Sequence, residues 1–260
     1  NAKLAELAKK NALEEAERVT SLDERISGTL TLLGKMLSLP QPPVRMESFD
    51  ISNISGTDIV ASMVVFQDGK PSKRDYKRFQ VEGLQNQDDY LSMRQVLTRR
   101  FVHYCQQDAG FAEKPDLLLI DGGVAHANVA REVLEEMNLS IPIYGMVKDN
   151  RHRTRALVTP EGEEISISTQ PTVFALIGRM QEETHRFAIT YHRQLRSKRL
   201  RYSELDGIEG IGPKRKEQLL KKFKSLTAIR AASREELGRL LPASAAEAVY
   251  RHFHPEEETS

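Results

Sequence analysis

The sequence lacks the features that would place it outside the cytoplasm or in a membrane. It contains a single cysteine, Cys105, so no internal disulfide can form, and a reducing cytoplasm is the predicted compartment. No apolar run approaches the ~20 residues that a membrane helix requires, and no signal-peptide pattern opens the chain. The sequence also begins at Asn1 and not at an initiating methionine, and Asn1 lies within a helix-forming stretch. These absences exclude a disulfide scaffold and a membrane protein, and they predict a monomeric fragment of a longer protein.

Net charge is also nearly absent, since the 260 residues carry a formal charge of only +1. The distribution of that charge is uneven. The stretch from Arg186 to Leu226 contains twelve Lys or Arg against four Asp or Glu. A local excess of this kind is typical of a surface that contacts nucleic-acid phosphates. A solvated helix surface is the alternative for a charge run taken alone.

Helical and strand periodicities alternate along the chain in an order that predicts an α/β domain. Residues 1–39 favour one or two helices, which end at the prolines that follow. The next elements are three strands, a helix, a strand, a helix, a strand and a long closing helix. That order is typical of the RNase H-like fold, a mixed sheet flanked by helices, in which the first strands are antiparallel and later ones add in parallel. The predicted strands are 44–50, 58–66, 73–81, 117–121 and 143–148, and the predicted helices are 88–107, 125–137 and 171–199.

Two aspartates close apolar strands of this predicted sheet. Asp50 ends the first strand, and Asp121 ends a later one just before Gly122 and Gly123. A carboxylate on a buried strand is costly to desolvate unless it is paired or binds a metal. Ligands bind at strand ends in α/β sheets, and two neighbouring acids supply the hard oxygen ligands that Mg²⁺ prefers. The joint pattern predicts a Mg²⁺ site, in which Mn²⁺ is expected to substitute; for either aspartate alone, a cap or turn is the alternative.

Three further residues are candidates for the same site. His185 shares an i, i+4 row with apolar positions of the long helix, and its imidazole is a candidate metal ligand, proton-transfer group or hydrogen-bonded core residue. Asp89 is a candidate for a second metal site, or it caps the helix that begins beside it. Glu47 is a weaker candidate, because strand alternation turns it away from the face of Asp50. The sequence is compatible with a site for one metal ion and with a site for two.

A basic loop follows the strand at 143–148. Its Lys148, Arg151 and Arg153 are candidates for contacts with DNA phosphates. Lys148 is also a candidate for stabilising charge in a transition state. A solvated basic loop is the alternative.

The segment 205–216 has the pattern of a helix-hairpin-helix. Gly210 and Gly212 permit a tight hairpin around Ile211, and the amides at the start of the next helix would point at a DNA phosphate. Nothing in that geometry contacts a base, so binding is predicted to be independent of DNA sequence and steeply dependent on salt. The candidate DNA-binding residues are Gly210, Ile211, Gly212, Lys214, Arg215 and Lys216.

Several short motifs match those of the UvrC family, in family order. They are Phe49-Asp50-Ile51-Ser52, Asp89-Tyr90 with Met93 and Val96-Leu97, Leu119-Ile120-Asp121-Gly122-Gly123, and His185-Arg186-Phe187-Ala188-Ile189. From about residue 10 to its end, the chain therefore resembles the C-terminal half of that family. The resemblance implies a divalent-metal endonuclease of nucleotide excision repair, which cuts damaged duplex DNA on the 5′ side of a lesion with UvrB as its partner.

The same resemblance implies roles for individual residues and segments. Asp50, Asp121 and His185 match the family's catalytic triad, and Asp89 matches a further functional acid. Residues 1–39 would connect to the region that engages UvrB. The family's other nuclease domain, which makes the 3′ incision, has no counterpart in this sequence.

The resulting domain prediction is an endonuclease domain at 40–200 and a tandem helix-hairpin-helix domain at 204–254, joined by a basic linker. The family carries a second hairpin, for which the candidate is 240–246. This segment lacks the expected glycine, which predicts a hairpin that binds phosphate poorly. Two alternatives stay open: a DNA-binding module without catalysis, whose acids serve only as caps and turns, and a different RNase H-like enzyme such as a resolvase or transposase.

Overall fold

The computed structural model describes residues 2–54, 58–81, 88–150 and 153–254, with their side chains except at 2–10, 12–19, 52–54, 58 and 192–203. The chain divides into two compact units, Asn1–Ile189 and Thr190–Ser260. Within the described residues, no helix combines the length and apolar character needed to cross a membrane.

The first unit is built on one mixed sheet of eight strands. These are β1 (Arg45–Ile54), β2 (Asp58–Gln67), β3 (Lys70–Pro71), β4 (Lys77–Val81), β5 (Leu117–Asp121), β6 (Ile143–Lys148), β7 (Thr154–Val158) and β8 (Glu164–Ser166). Their spatial order is β3-β2-β1-β5-β6-β7-β8, and β4 also pairs with β2. β1 is antiparallel to β2 but parallel to β5, and β6 is parallel to β5. This is the predicted RNase H-like arrangement, and it places β1 beside β5 in the middle of the sheet.

Helices cover both faces of the sheet. They are α1 (Ala2–Met36), α2 (Asp89–Cys105), α3 (Val124–Glu136) and α4 (Pro171–Glu204). One apolar core lies between the sheet and α2 and α3, and it includes Phe49; the other lies against α1 and α4, and it includes Met46. Because side chains alternate along a strand, Glu47 faces the first core, whereas Asp50 and Asp121 face the side of α1 and α4.

Several predicted boundaries differ from the structure, and two of the differences have a local cause. The strand predicted at 73–81 starts later, because a short 3₁₀ helix occupies Lys73–Asp75 and β4 begins at Lys77. The Asp75 carboxylate accepts a hydrogen bond from the Ser72 hydroxyl at 2.6 Å, which holds this segment in a turn. The linker predicted at 197–203 is helical, since α4 continues to Glu204 and residues 197–203 contain no proline or glycine.

The second unit contains four short helices after the end of α4. They are α5 (Pro213–Phe223), α6 (Leu226–Arg230), α7 (Arg234–Gly238) and α8 (Ala243–Phe253). Their shared core is small and apolar, with Leu219, Leu237 and Val249 fully buried. Two helical hairpins therefore pack around one core, as predicted for a tandem helix-hairpin-helix domain.

Candidate active site

An open pocket lies where the middle strands of the sheet end. Its volume is about 460 Å³, and its lining includes Asp50, Asp89, Asp121 and Lys148. The structure thus brings together three of the four acidic or imidazole side chains predicted for catalysis and the predicted lysine. His185 is not in this group.

The strand register places Asp50 and Asp121 together. β1 and β5 pair in parallel up to Phe49 and Ile120, so the two aspartates are the next residues of neighbouring strands. Asp50 is only 8% exposed, and the Asp121 side chain is 12% exposed. Two largely buried carboxylates at one edge of a sheet create a strong demand for positive charge.

The acid at the start of α2 contributes to the pocket and does not cap its helix. The N-cap is Asp88, whose Oδ1 accepts hydrogen bonds from the amides of Tyr90 at 3.0 Å and Leu91 at 2.9 Å. Asp89 is therefore the first helical residue, and it lines the pocket. Of the two interpretations of Asp89, the structure favours a place in the site over a cap.

Lys148 supplies a cation inside the pocket. Its Nζ lies 2.7 Å from Oδ1 and 2.9 Å from Oδ2 of Asp121. Lys148 extends from the last position of β6, the strand next to β5. Because its side chain is 37% exposed, the ammonium group can contact both Asp121 and a ligand that enters from solvent.

Two residues that sequence reasoning missed shape the turn after Asp121. A Cβ atom on Gly145 would lie 2.5 Å from the carbonyl oxygen of Gly122, so only glycine lets this turn pack against β6. A Cβ on Gly122 would lie 2.5 Å from Nδ1 of His126, which lines the pocket. In the sequence, the consecutive glycines at 122–123 were the signal that the turn after Asp121 packs closely against a neighbouring strand. Nothing local marks Gly145 or His126, because each matters through its contacts.

Glu47 is excluded from the pocket by a network on the opposite face of β1. Its carboxylate accepts hydrogen bonds from Arg100 Nε at 3.0 Å and Nη2 at 2.7 Å. Both side chains of this ion pair are fully buried. Arg45 adds a third contact to Glu47 at 3.3 Å. The alternation argument against Glu47 as a metal ligand agrees with this geometry.

His185 lies on α4 with an exposed side chain. Thr184 and Ala188 are the buried positions of this turn. Within the predicted row, Ile177 is fully buried, and the Gln181 amide oxygen accepts hydrogen bonds from the amide and hydroxyl of Thr154. Burial along this row therefore decreases from Ile177, in the core, to His185, which is exposed to solvent. His185 does not line the acidic pocket.

The basic loop after β6 is only partly described. Arg151 lies outside the described residues. Arg153 is exposed, but its guanidinium is held by the Asp149 carboxylate at 3.0 and 3.2 Å. A phosphate contact by Arg153 would therefore compete with Asp149.

The first hairpin of the second unit has the predicted glycine geometry. Gly210 has φ +75°, in the left-handed region that favours glycine. Ile211 is buried, Gly212 is the N-cap of α5, and Pro213 is its first residue. No side chain caps this helix, so its first amides are available to an anion.

The three basic residues after this hairpin have different environments. Lys214 is exposed. Arg215 donates a hydrogen bond from Nη1 to the Gly210 carbonyl oxygen at 2.6 Å, which stabilises the hairpin. Lys216 is 7% exposed and pairs with Asp206. Lys214 is therefore the residue of the three that is placed to meet a phosphate directly.

The second hairpin is present between α7 and α8. Its buried apolar residue is Leu241, and Pro242 is the N-cap of α8, which like α5 has no side-chain cap. The following residues, Ala243 and Ser244, carry no charge. The structural part of the prediction is confirmed, and the chemistry agrees with the expected weakness toward phosphate.

Solved structures of endonuclease V are among those to which this chain shows similarity. The catalytic domain of human endonuclease V is 17% identical, with a TM-score of 0.32, over 57% of this chain and 74% of that one. Endonuclease V of Ciona intestinalis in a DNA complex is 12% identical, with a TM-score of 0.32, over 52% and 59% of the two chains. At these low scores, the assignment rests on sequence relatives and not on the structures.

Sequence relatives assign the chain directly. "UvrABC system protein C" of Thermoanaerobacter sp. (strain X514) is 44% identical over 96% of this chain and 43% of its own length. The protein of the same name from Streptococcus pneumoniae serotype 2 is 45% identical over 98% of this chain and 42% of its own. The chain thus spans less than half the length of these curated relatives.

Two family matches cover both compact units. Residues 202–253 match the SAM-like helix-hairpin-helix tandem, and residues 34–189 match the UvrC RNAse H endonuclease domain. The second match contains the whole acidic pocket. The chain therefore belongs to the UvrC family.

Proposed function

We propose that this chain hydrolyses a phosphodiester of damaged DNA on the 5′ side of the lesion, while UvrB holds the DNA. The observation that carries the proposal is the convergence of Asp50, Asp89, Asp121 and Lys148 on one open pocket. Family membership supports nucleotide excision repair as the setting. The side of the cut and the UvrB partner follow from the family resemblance.

The donor set of the pocket fits Mg²⁺. Among the described residues, no three His, Cys, Asp or Glu side chains converge closely enough to enclose a metal ion. Mg²⁺ does not need such an enclosure, because it usually binds through one or two carboxylates and completes its shell with water and substrate phosphate. Asp50 and Asp121 would hold it, with Asp89 beside them, and Mn²⁺ would substitute. When bound, the ion neutralises charge on the scissile phosphate and lowers the pKa of an attacking water.

Residues of the chain would perform the remaining steps. The Lys148 ammonium would donate hydrogen bonds to the phosphate as its negative charge grows, with Asp121 orienting it. The carboxylates of Asp50 and Asp89 would orient the attacking water. The family resemblance implies a catalytic role for His185, although its exposed side chain does not line the pocket.

The first helical hairpin would hold the DNA by its backbone. Amides at the start of α5 and the exposed Lys214 would contact a phosphate. The second hairpin would be the weaker contact, because uncharged Ala243 and Ser244 stand where the first hairpin has basic side chains. Since neither hairpin presents a group to a base edge, binding would be independent of sequence and would weaken steeply with salt.

Nicking of lesion-containing DNA tests the proposal. The substrate is DNA already cut on the 3′ side of the lesion and held by UvrB, and the wild-type chain is compared with Asp50→Ala in Mg²⁺ and in EDTA. The matched control is Glu132→Gln, which alters an exposed acid on α3 that pairs with Arg94 of α2. Nicking that is lost in EDTA and in Asp50→Ala, but kept in Glu132→Gln, would support the proposal.

Either of two other outcomes would contradict it. Undiminished nicking by Asp50→Ala would mean that the pocket is not the metal site. DNA binding by the wild-type chain without any nicking would favour the second candidate, a DNA-binding module without catalysis. That candidate is supported by the backbone amides at the start of α5, which no side chain caps and which can therefore bind a DNA phosphate without any catalysis.

A further inference from the structure

An aromatic surface adjoins the acidic pocket. Tyr90 is 48% exposed, and its ring centroid lies 4.7 Å from that of His126, with the two planes 39° apart. His126 itself lines the pocket with the three aspartates. The Tyr90–His126 pair, called here the aromatic rim, is thus continuous with the place where a phosphate would bind.

The backbones of both residues of the aromatic rim are fixed by hydrogen bonds at the starts of α2 and α3, and their rings lie against each other. The Tyr90 amide donates to the Asp88 carboxylate at the start of α2. The His126 amide donates to the Gly123 carbonyl at 3.1 Å in the first turn of α3. The imidazole packs where a side chain on Gly122 would otherwise be. An exposed ring that is already ordered loses little conformational entropy when it binds a ligand.

The ligand that fits this arrangement is a nucleobase. In DNA, the groups closest to a phosphate are the sugars and bases on either side of it. Every base has an aromatic face, so stacking on a tyrosine tolerates any sequence. Tolerance of sequence is also what the phosphate-directed chemistry of the pocket requires.

We propose that the aromatic rim stacks on the base next to the phosphate that is cut. This inference rests on the proposed nuclease function and specifies its substrate class. In an intact duplex, both faces of a base are covered by its neighbours, so Tyr90 can reach a base only where stacking is broken. The preferred substrate is therefore DNA with an unstacked nucleotide beside the cut phosphate.

Binding of DNA in EDTA tests the inference without any cleavage. The probe is a DNA duplex with one unpaired 2-aminopurine next to the phosphate expected to be cut. The fluorescence of the 2-aminopurine reports stacking, and fluorescence anisotropy gives the affinity of the chain for the DNA. Tyr90→Ala should weaken binding about 5- to 150-fold and abolish quenching of the probe. Tyr90→Phe should bind within about twofold of wild type, because it keeps the aromatic face. Leu91→Ala is the matched control, since Leu91 is the next residue and is 49% exposed.

A third variant distinguishes stacking on a flat ring from simple apolar contact. Tyr90→Leu keeps an apolar side chain without a flat π face. It should bind the probe as weakly as Tyr90→Ala does, and its thermal unfolding midpoint should equal that of the wild-type chain. Wild-type affinity and quenching in Tyr90→Ala would overturn the inference, as would an equal loss in Leu91→Ala. Because this assay needs no metal, a chain that binds the probe through Tyr90 but never nicks DNA would contradict the nuclease proposal alone.

Discussion

Two clusters of charged side chains lie on opposite faces of β1, and they differ in how the protein satisfies them. Glu47 and Arg100 are fully buried and bonded to each other, and Arg100 also donates to the carbonyls of Phe111 and Glu113. Asp50 and Asp121 lie at an open pocket, where Lys148 is 37% exposed. The first cluster is closed to solvent, whereas the second is open to solvent and to a ligand.

The comparison shows that burial of a carboxylate does not by itself indicate a functional site. A buried ion pair contributes to the scaffold when protein groups use all of its hydrogen-bonding capacity. A carboxylate at a strand end that opens to solvent keeps capacity for a metal or a substrate. The same strand therefore carries one acid in a buried ion pair and another, three residues later, at an open pocket.

The largest expected effect is that of Asp121→Asn on nicking. An amide has no negative charge with which to hold Mg²⁺ or orient Lys148, so the nicking rate should fall about 10³-fold or more. The unfolding free energy from urea titration should change by less than about 1 kcal/mol, since the lost pair with Lys148 is partly exposed. A large loss of stability would mean that the pocket acids belong to the scaffold.

Glu47→Gln should produce the opposite pattern. It leaves Arg100 charged and buried without its counter-ion, so the free energy of unfolding should fall by about 3–5 kcal/mol. The nicking rate of the fraction that stays folded should be close to wild type. Urea unfolding followed by circular dichroism measures the first quantity, and an unchanged midpoint would refute the scaffold role of Glu47.

Lys148→Met should reduce nicking by about 10²-fold, because it removes a hydrogen-bond donor from the site of developing charge. Lys70→Met is the matched control, since Lys70 also pairs with an aspartate, Asp23, but outside the pocket. Single-turnover rates at saturating DNA separate this effect from binding. Equal rates for the two variants would remove Lys148 from the mechanism.

The smallest expected effect is that of Arg100→Lys. An ammonium group cannot reproduce the forked contacts of Arg100 with Glu47 and two carbonyls. The free energy of unfolding should fall by about 1–3 kcal/mol. The same variant should nick DNA at the wild-type rate. A loss of nicking without a loss of stability would contradict the conclusion that the Glu47–Arg100 pair serves stability and not catalysis.

Local patterns along the chain were sufficient for the fold and for most of the pocket. The order of strands and helices indicated the RNase H-like sheet, because hydrophobic period and turn residues are properties of short segments. Asp50 and Asp121 could be selected because a carboxylate on a buried strand is costly to desolvate unless it is paired or binds a metal. The glycines at 210 and 212 predicted the first hairpin because they permit a tight turn.

Other features depended on contacts between segments that are distant in sequence. Sequence left Asp89 undecided between cap and site, and the cap proved to be Asp88. It gave no reason to select His126 or Gly145, whose importance comes from how closely the turn after β5 approaches its neighbours. It also treated Lys214, Arg215 and Lys216 as equivalent cations, although burial and partners distinguish them.

By itself, the sequence determined the class of most elements, the RNase H-like arrangement and the acids at its strand ends, because these follow from periodicity and local propensity. Only the tertiary structure decided which charges are closed into the scaffold and which remain open to a ligand. The physical reason is that the free energy of a charge depends on its solvent and its partners. Both are set by the packing of segments as far apart as Glu47 and Arg100.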